Sequence, residues 1–127
     1  MPFVAFNKAT DPAAPDDLRI NTSAVLYVEA SRAGLIGQTT IHMLGQGTVV
    51  NAVTESIGTV VSNIGGMVAG KRHYLAPPPD DGAATLYISP ANVSHMRPNL
   101  PASPDFWYVK FVDGSEVRIV EPLPNGL

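Results

Sequence analysis

Hydrophobic and polar residues alternate along two well-separated stretches of the chain. "DFWYVKFVDGSEVRIVE" (105–121) reads as two strands joined at Asp113-Gly114, a dipeptide suited to a tight reversal. "GQTTIHMLGQGTVVNAV" (37–53) has the same outline: Ile41 and Met43 alternate with Thr40 and His42, and Gly45-Gln46-Gly47 turns the chain into "TVVNAV". "LRINTSAVLYVEA" (18–30) surrounds an Asn-Thr-Ser interruption with β-branched and aromatic residues, which predicts two extended pieces separated by a bend. "TLYISPANVSHMRP" (85–98) opens a second β series, and the Pro-rich "NLPASP" (99–104) leads into the last hairpin. At the start, Phe3, Val4 and Phe6 precede a Pro/Ala/Asp segment that disfavours helix. That pattern predicts an edge strand followed by a loop, or an arm that docks on a neighbouring subunit.

The period changes once. Val53, Ile57, Val60, Val61 and Ile64 fall on one face of a helix, with Thr54 as the expected N-cap and Glu55 near the positive end of the dipole. Gly65-Gly66 ends it, and Gly58 inside it costs about 1 kcal/mol relative to Ala. The helix therefore depends on packing.

Residues 68 apart (86 − 18) match in character. Leu18 lies over Leu86, Ile20 over Ile88, Val25 over Val93, Val28 over Met96, Ile41 over Val109, Met43 over Phe111, Val49 over Val117 and Ala52 over Val120, with no gap from 18 through 53. The expected fold is α+β and mostly antiparallel β: two β pseudo-repeats with one helix after the first. Residues 1–66 form an N-terminal hairpin-and-helix half, 67–84 a Pro-rich connector, and 85–127 a C-terminal β half, packed as one compact unit. The second half has no helix, since "EPLPNGL" ends it, so either the one helix serves both sheets or the second sheet finds cover elsewhere, and a sheet face left without cover is a natural site for a partner.

Composition narrows the class. The 127 residues are 45% apolar and only 15% charged, with a net charge of −3. Sparse charge fits a surface turned toward partners, and an acidic balance argues against nucleic acid, whose binding is driven by neutralising phosphates. No cysteine is present, so disulfides and thiolate chemistry are excluded. The sequence shows no charged-then-apolar leader and no apolar run near ~18 residues, so neither an obvious export signal nor a membrane span is expected. The compartment stays open between cytoplasm and virion.

Ile20-Asn21, Val25, Val28-Glu29, Thr39-Ile41-Met43, and Val53 with Glu55-Ser56 make up a recognisable series: "I-N", "V-E", "T-x-I-x-L", a turn, and "V-x-E-S" opening a helix. Residues 20–64 on this basis resemble small bacterial β-proteins of the flagellar FlbD type, and are similar to the β-core of LytTR response-regulator domains. The resemblance implies a small β-fold. LytTR domains bind DNA through basic loops, and this chain has no matching basic run.

Candidate chemistry is thin. His42, His73 and His95 lack a second histidine or a carboxylate at metal-ligand spacing, so no metal, cofactor or catalytic residue is expected. By the repeat, His42 lies over Lys110 and His95 over Tyr27. Asp16-Asp17 and Asp80-Asp81 sit beside Pro or Gly and read as solvated turn residues. "KRHY" (71–74) is the one basic cluster, and Lys71, Arg72 and Arg97 are candidate contacts for an anion or acidic partner. "FWYVKF" (106–111) puts Trp107, Val109 and Phe111 on one face and Phe106, Tyr108 and Lys110 on the other, a strand expected to be buried on both sides. Phe3, Phe6, Phe106, Trp107 and Tyr108 are the interface candidates.

Together these features point to a non-enzymatic structural or assembly protein that multimerises or docks on a protein scaffold, as capsid-decorating and tail components of virions do. The alternative is a small regulatory module that binds a protein or nucleic acid.

Overall fold

The computed structural model describes residues 3–9, 18–31, 38–46, 51–73, 85–120 and 123–127. The strands are β1 (Phe3–Phe6), β2 (Leu18–Asn21), β3 (Val25–Ala30), β4 (Thr39–Met43), β5 (Asn51–Val53), β6 (Val68–Lys71), β7 (Thr85–Ile88), β8 (Val93–Pro98), β9 (Phe106–Phe111) and β10 (Glu116–Val120). Among the described residues, one short helix, α1 (Ile57–Ile64), lies between β5 and β6, and every pairing is antiparallel, in three sheets of order β1-β2, β5-β4-β3-β7-β6 and β10-β9-β8.

The bend expected in 18–30 is a single turn of 3₁₀ helix, Thr22–Ala24, capped by the Asn21 side chain accepting from the Ser23 N–H. A second such turn, Pro90–Asn92, separates β7 from β8. The Asn92 amide donates to the carbonyls of Ser23 (2.9 Å) and Val25 (2.8 Å), so the two corners touch.

Two apolar clusters fill the interior. The first holds Phe6, Ile20, Val25, Val28, Ile41 and Val53, closed by Val60 of the helix with Ile57, Val61 and Ile64 beside it. The second holds Leu86, Ile88, Val109, Phe111, Val117 and Ile119, together with Leu26 and Tyr27 from β3. Leu123 and Leu127 pack on its flank. The β3–β7 pairing joins the halves, setting Tyr27 opposite Ile88, Val28 opposite Tyr87 and Glu29 opposite Leu86.

On its inner face the second sheet finds cover away from the helix, from Leu26 and Tyr27 of β3 and from Leu123 and Leu127. Several other expectations are corrected. The helix begins two residues later than its pattern suggested, because Val53 is held in β5 opposite Thr39 and Ser56 is the N-cap. Glu55 does not serve the helix dipole; its carboxylate accepts the Asn7 N–H with both oxygens, at 3.0 and 3.1 Å. The helix does end at Gly65-Gly66, whose φ angles of 77° and 68° suit glycine. The connector assigned to 67–84 opens with strand β6, and its remainder, 74–84, lies outside the described residues. So do Asp16-Asp17, Asp80-Asp81 and Val49. At the N-terminus Phe3–Phe6 form the expected strand, paired to β2.

Candidate functional site

Two polar constellations stand out, one largely buried and one open. In the buried one, Glu29 of β3 lies where a bare carboxylate would be costly. Arg72, one residue past β6, donates to both its oxygens at 2.9 and 2.8 Å. His42 Nε2 lies 3.0 Å from Glu29 Oε1, and Tyr27 stacks on the His42 ring at 4.0 Å. Phe111 stacks on the other side of the group, 5.6 Å from Tyr27. Burial raises the Glu29 pKa, but the His42 hydrogen bond and the Arg72 charge outweigh it and hold the carboxyl below the usual carboxylate range. An open cleft of about 450 Å³ is lined by Tyr27, His42, Met43, Arg72, Ser115 and Glu116. The geometry spends Arg72 on Glu29, so this place clamps the two halves together.

The open constellation is the outer face of β8–β9–β10. Strand alternation sends Val109, Phe111, Val117 and Ile119 inward, and sends Phe106, Tyr108, Lys110 and Arg118 outward. Register makes Arg97, Tyr108 and Arg118 one cross-strand row, and His95, Lys110 and Glu116 the next. The Arg97 guanidinium lies 4.1 Å over the Tyr108 ring, and Arg118 lies 5.7 Å from it and 5.5 Å from Phe106. His73 stacks on Phe106 at 4.2 Å. The face is thus basic and aromatic on a chain of net charge −3. At its corner burial raises the Asp113 pKa, but hydrogen bonds from Ser115 and from the Gly45 N–H together outweigh it and hold the carboxyl low.

The residues singled out from sequence divide accordingly. Phe106 and Tyr108 lie half-buried on the open face with Arg97, so the strand is not buried on both sides. Trp107 is on the inward face, opposite Ile119 and Pro98. Phe6 is fully buried in the first cluster and is no surface contact, whereas Phe3 is 54% exposed. Lys71 is exposed in β6, and Arg72 is paired with Glu29. Sequence reasoning missed Glu29 and Arg118: the Glu29–Arg72 pair spans 43 residues and has no local signature. His42 does meet a carboxylate, through cross-strand packing rather than motif spacing. Among the described residues, no helix is long and apolar enough to cross a membrane. No family model, curated protein or solved structure matches the chain.

Proposed function

We propose that the protein is a non-catalytic assembly component that docks on a larger protein scaffold through the outer face of β8–β9–β10, and that its halves are copies of one five-strand unit. Strand registers support the repeat. The pairs Val25–Met43, Tyr27–His42, Val28–Ile41, Glu29–Thr40 and Ala30–Thr39 have counterparts 68 residues on (93 − 25) in Val93–Phe111, His95–Lys110, Met96–Val109, Arg97–Tyr108 and Pro98–Trp107. The irregularity falls after Val25 in one and Val93 in the other. Both 3₁₀ corners keep the same spacing, as do the Leu44 N–H bond to Ala24 and the Val112 N–H bond to Asn92. The bridges Lys8–Val53 and Arg72–Ile119 close the two units alike. The spacing slips to 66 (117 − 51) after the hairpin turn, where Ile41–Asn51 answers Val109–Val117, so the alignment needs a gap there.

One observation carries the docking reading. In the first unit Glu29 and Tyr27 are buried under the second unit. Their counterparts Arg97 and His95 are exposed. The chain covers a surface in one copy and leaves it open, with opposite charge, in the other. A charged, aromatic patch built on a rigid sheet is suited to a partner.

Sizing of native extracts tests this. The protein is expected to migrate far above its 13.4 kDa mass at fixed stoichiometry with a second protein, and Arg97→Glu/Arg118→Glu is expected to release it. Migration at monomer mass in every extract overturns the reading. The row Arg97–Tyr108–Arg118 favours a second reading, stacking of single-stranded nucleic acid; a complex that collapses on nuclease treatment selects it.

A further inference from the structure

We infer that β8 is a receiving edge: an extended acidic segment of a different protein adds to it as an antiparallel strand. This rests on the repeat and on the open face proposed above.

The chain itself supplies the template. β3 of the first unit is flanked by β4 on one side and by β7 of the second unit on the other. The Ser89 N–H donates to the Leu26 carbonyl at 2.9 Å, which fixes Leu26 and, by alternation, Val28 as the residues whose backbone groups face β7. The counterparts on β8 are Ser94 and Met96. Among the described residues, no strand lies beside that edge of β8. It therefore offers the hydrogen-bonding groups that β3 uses, in an extended conformation already fixed by β9.

Charge selects the occupant. A second copy of this chain would present β2, the counterpart of β7, with Ile20 opposite His95 and Leu18 opposite Arg97. In the internal junction an acid on the receiving strand, Glu29, is met by Arg72. In the external one the receiving strand carries Arg97 with Lys110 and Arg118 on the adjoining strands, and the position answering Arg72 is Lys8. A second copy thus brings a lysine where the site calls for an acid. A foreign strand with a carboxylate opposite Arg97 meets the charge directly, and cross-strand pairs of opposite charge stabilise a sheet while like charges weaken it. The inverted charge both invites an acidic strand and stops the chain from adding copies of itself.

Two synthetic peptides test this on the full, nitrogen-15-labelled chain: Thr-Glu-Val-Glu-Val-Glu-Thr and its analogue with Lys for every Glu. The acidic peptide is expected to slow amide exchange at Ser94 and Met96 by roughly tenfold or more, and the basic one to leave it unchanged. Arg97→Glu is expected to weaken acidic-peptide binding by about tenfold, equivalent to one cross-strand charge reversal, with Arg97→Lys retaining it. A peptide that shifts Tyr108 and Arg118 without protecting the β8 amides overturns strand addition, yet leaves docking on this face intact. Failure of the docking reading is read separately, by migration at monomer mass in native extracts. Concentration-dependent dimers of the free wild-type chain, with β2 and β8 amides protected, overturn the foreign partner in favour of a second copy. Oligothymidine binding more tightly than the acidic peptide overturns it in favour of nucleic acid.

Discussion

Arg72 holds both carboxylate oxygens of Glu29, at 2.9 and 2.8 Å, across 43 residues of chain. The contact joins the second half of the molecule to the first and neutralises a buried carboxylate. Its value lies in what happens when one member is lost. Removing the guanidinium leaves a buried, uncompensated anion, whereas replacing both groups with apolar ones leaves none. Arg72→Leu is expected to cost about 3 kcal/mol in urea unfolding, and Glu29→Leu/Arg72→Leu to cost less than the single change. A double variant as destabilised as the sum of the singles contradicts this.

The same carboxylate makes stability depend on pH. Its folded pKa lies below its ordinary value of 4.5. The folded state therefore binds that proton less readily than the unfolded chain, and the contribution is fully present above the ordinary value. It is lost as pH falls below 4.5 through the folded value. Unfolding midpoints measured between neutral pH and the acid limb are expected to fall more steeply for the wild type than for Glu29→Gln.

Phe6 and Phe3 share a strand and differ in fate: Phe6 is fully buried in the first cluster and Phe3 is 54% exposed. Phe6→Ala is expected to cost about 3–5 kcal/mol through lost burial and the cavity left behind. Phe3→Ser is expected to change stability by no more than about 0.5 kcal/mol. Chemical denaturation of the two variants checks both figures.

Gly126 approaches β6 closely. A Cβ added there would lie 2.9 Å from the Val68 side chain, on backbone with φ of 101°. Gly126→Ala is expected to destabilise by about 1–3 kcal/mol, through strain and displacement of the segment that carries Leu123 and Leu127. Thermal melts of Gly126→Ala and Leu127→Ala, both lower than wild type, would bear out a second cluster that relies on this segment for cover.

Alternating residues and turn dipeptides made the strands from Leu18 onward, β6 excepted, legible, because strand pairing asks only for period two and a reversal. Ile41 and Val109, Met43 and Phe111 carried the pattern in both halves. The helix was legible in its body and its Gly65-Gly66 end. Its start was misread because Val53 fits the helical spacing equally well, and only the Thr39 pairing assigns it to β5. β6 was hidden in "MVAGK": four residues with a glycine carry too little alternation to register. Burial of Tyr27 and Glu29 could not be read at all, since it follows from β3 pairing with β7 some 60 residues away. Arg97 was found as a lone cation, but its row with Tyr108 and Arg118 depends on register across three strands.

One edge of β3 is filled by β7, whereas one edge of β8 faces no strand among the described residues. Residue-resolved amide exchange on the free protein reads it directly, comparing Val28, which faces Tyr87 across β3–β7, with its counterpart Met96 on β8. Val28 is expected to exchange only through global unfolding, and Met96 orders of magnitude faster, as an unpaired edge amide does. Equal protection at Val28 and Met96 would mean that the β8 edge is already filled, and would overturn an open edge there.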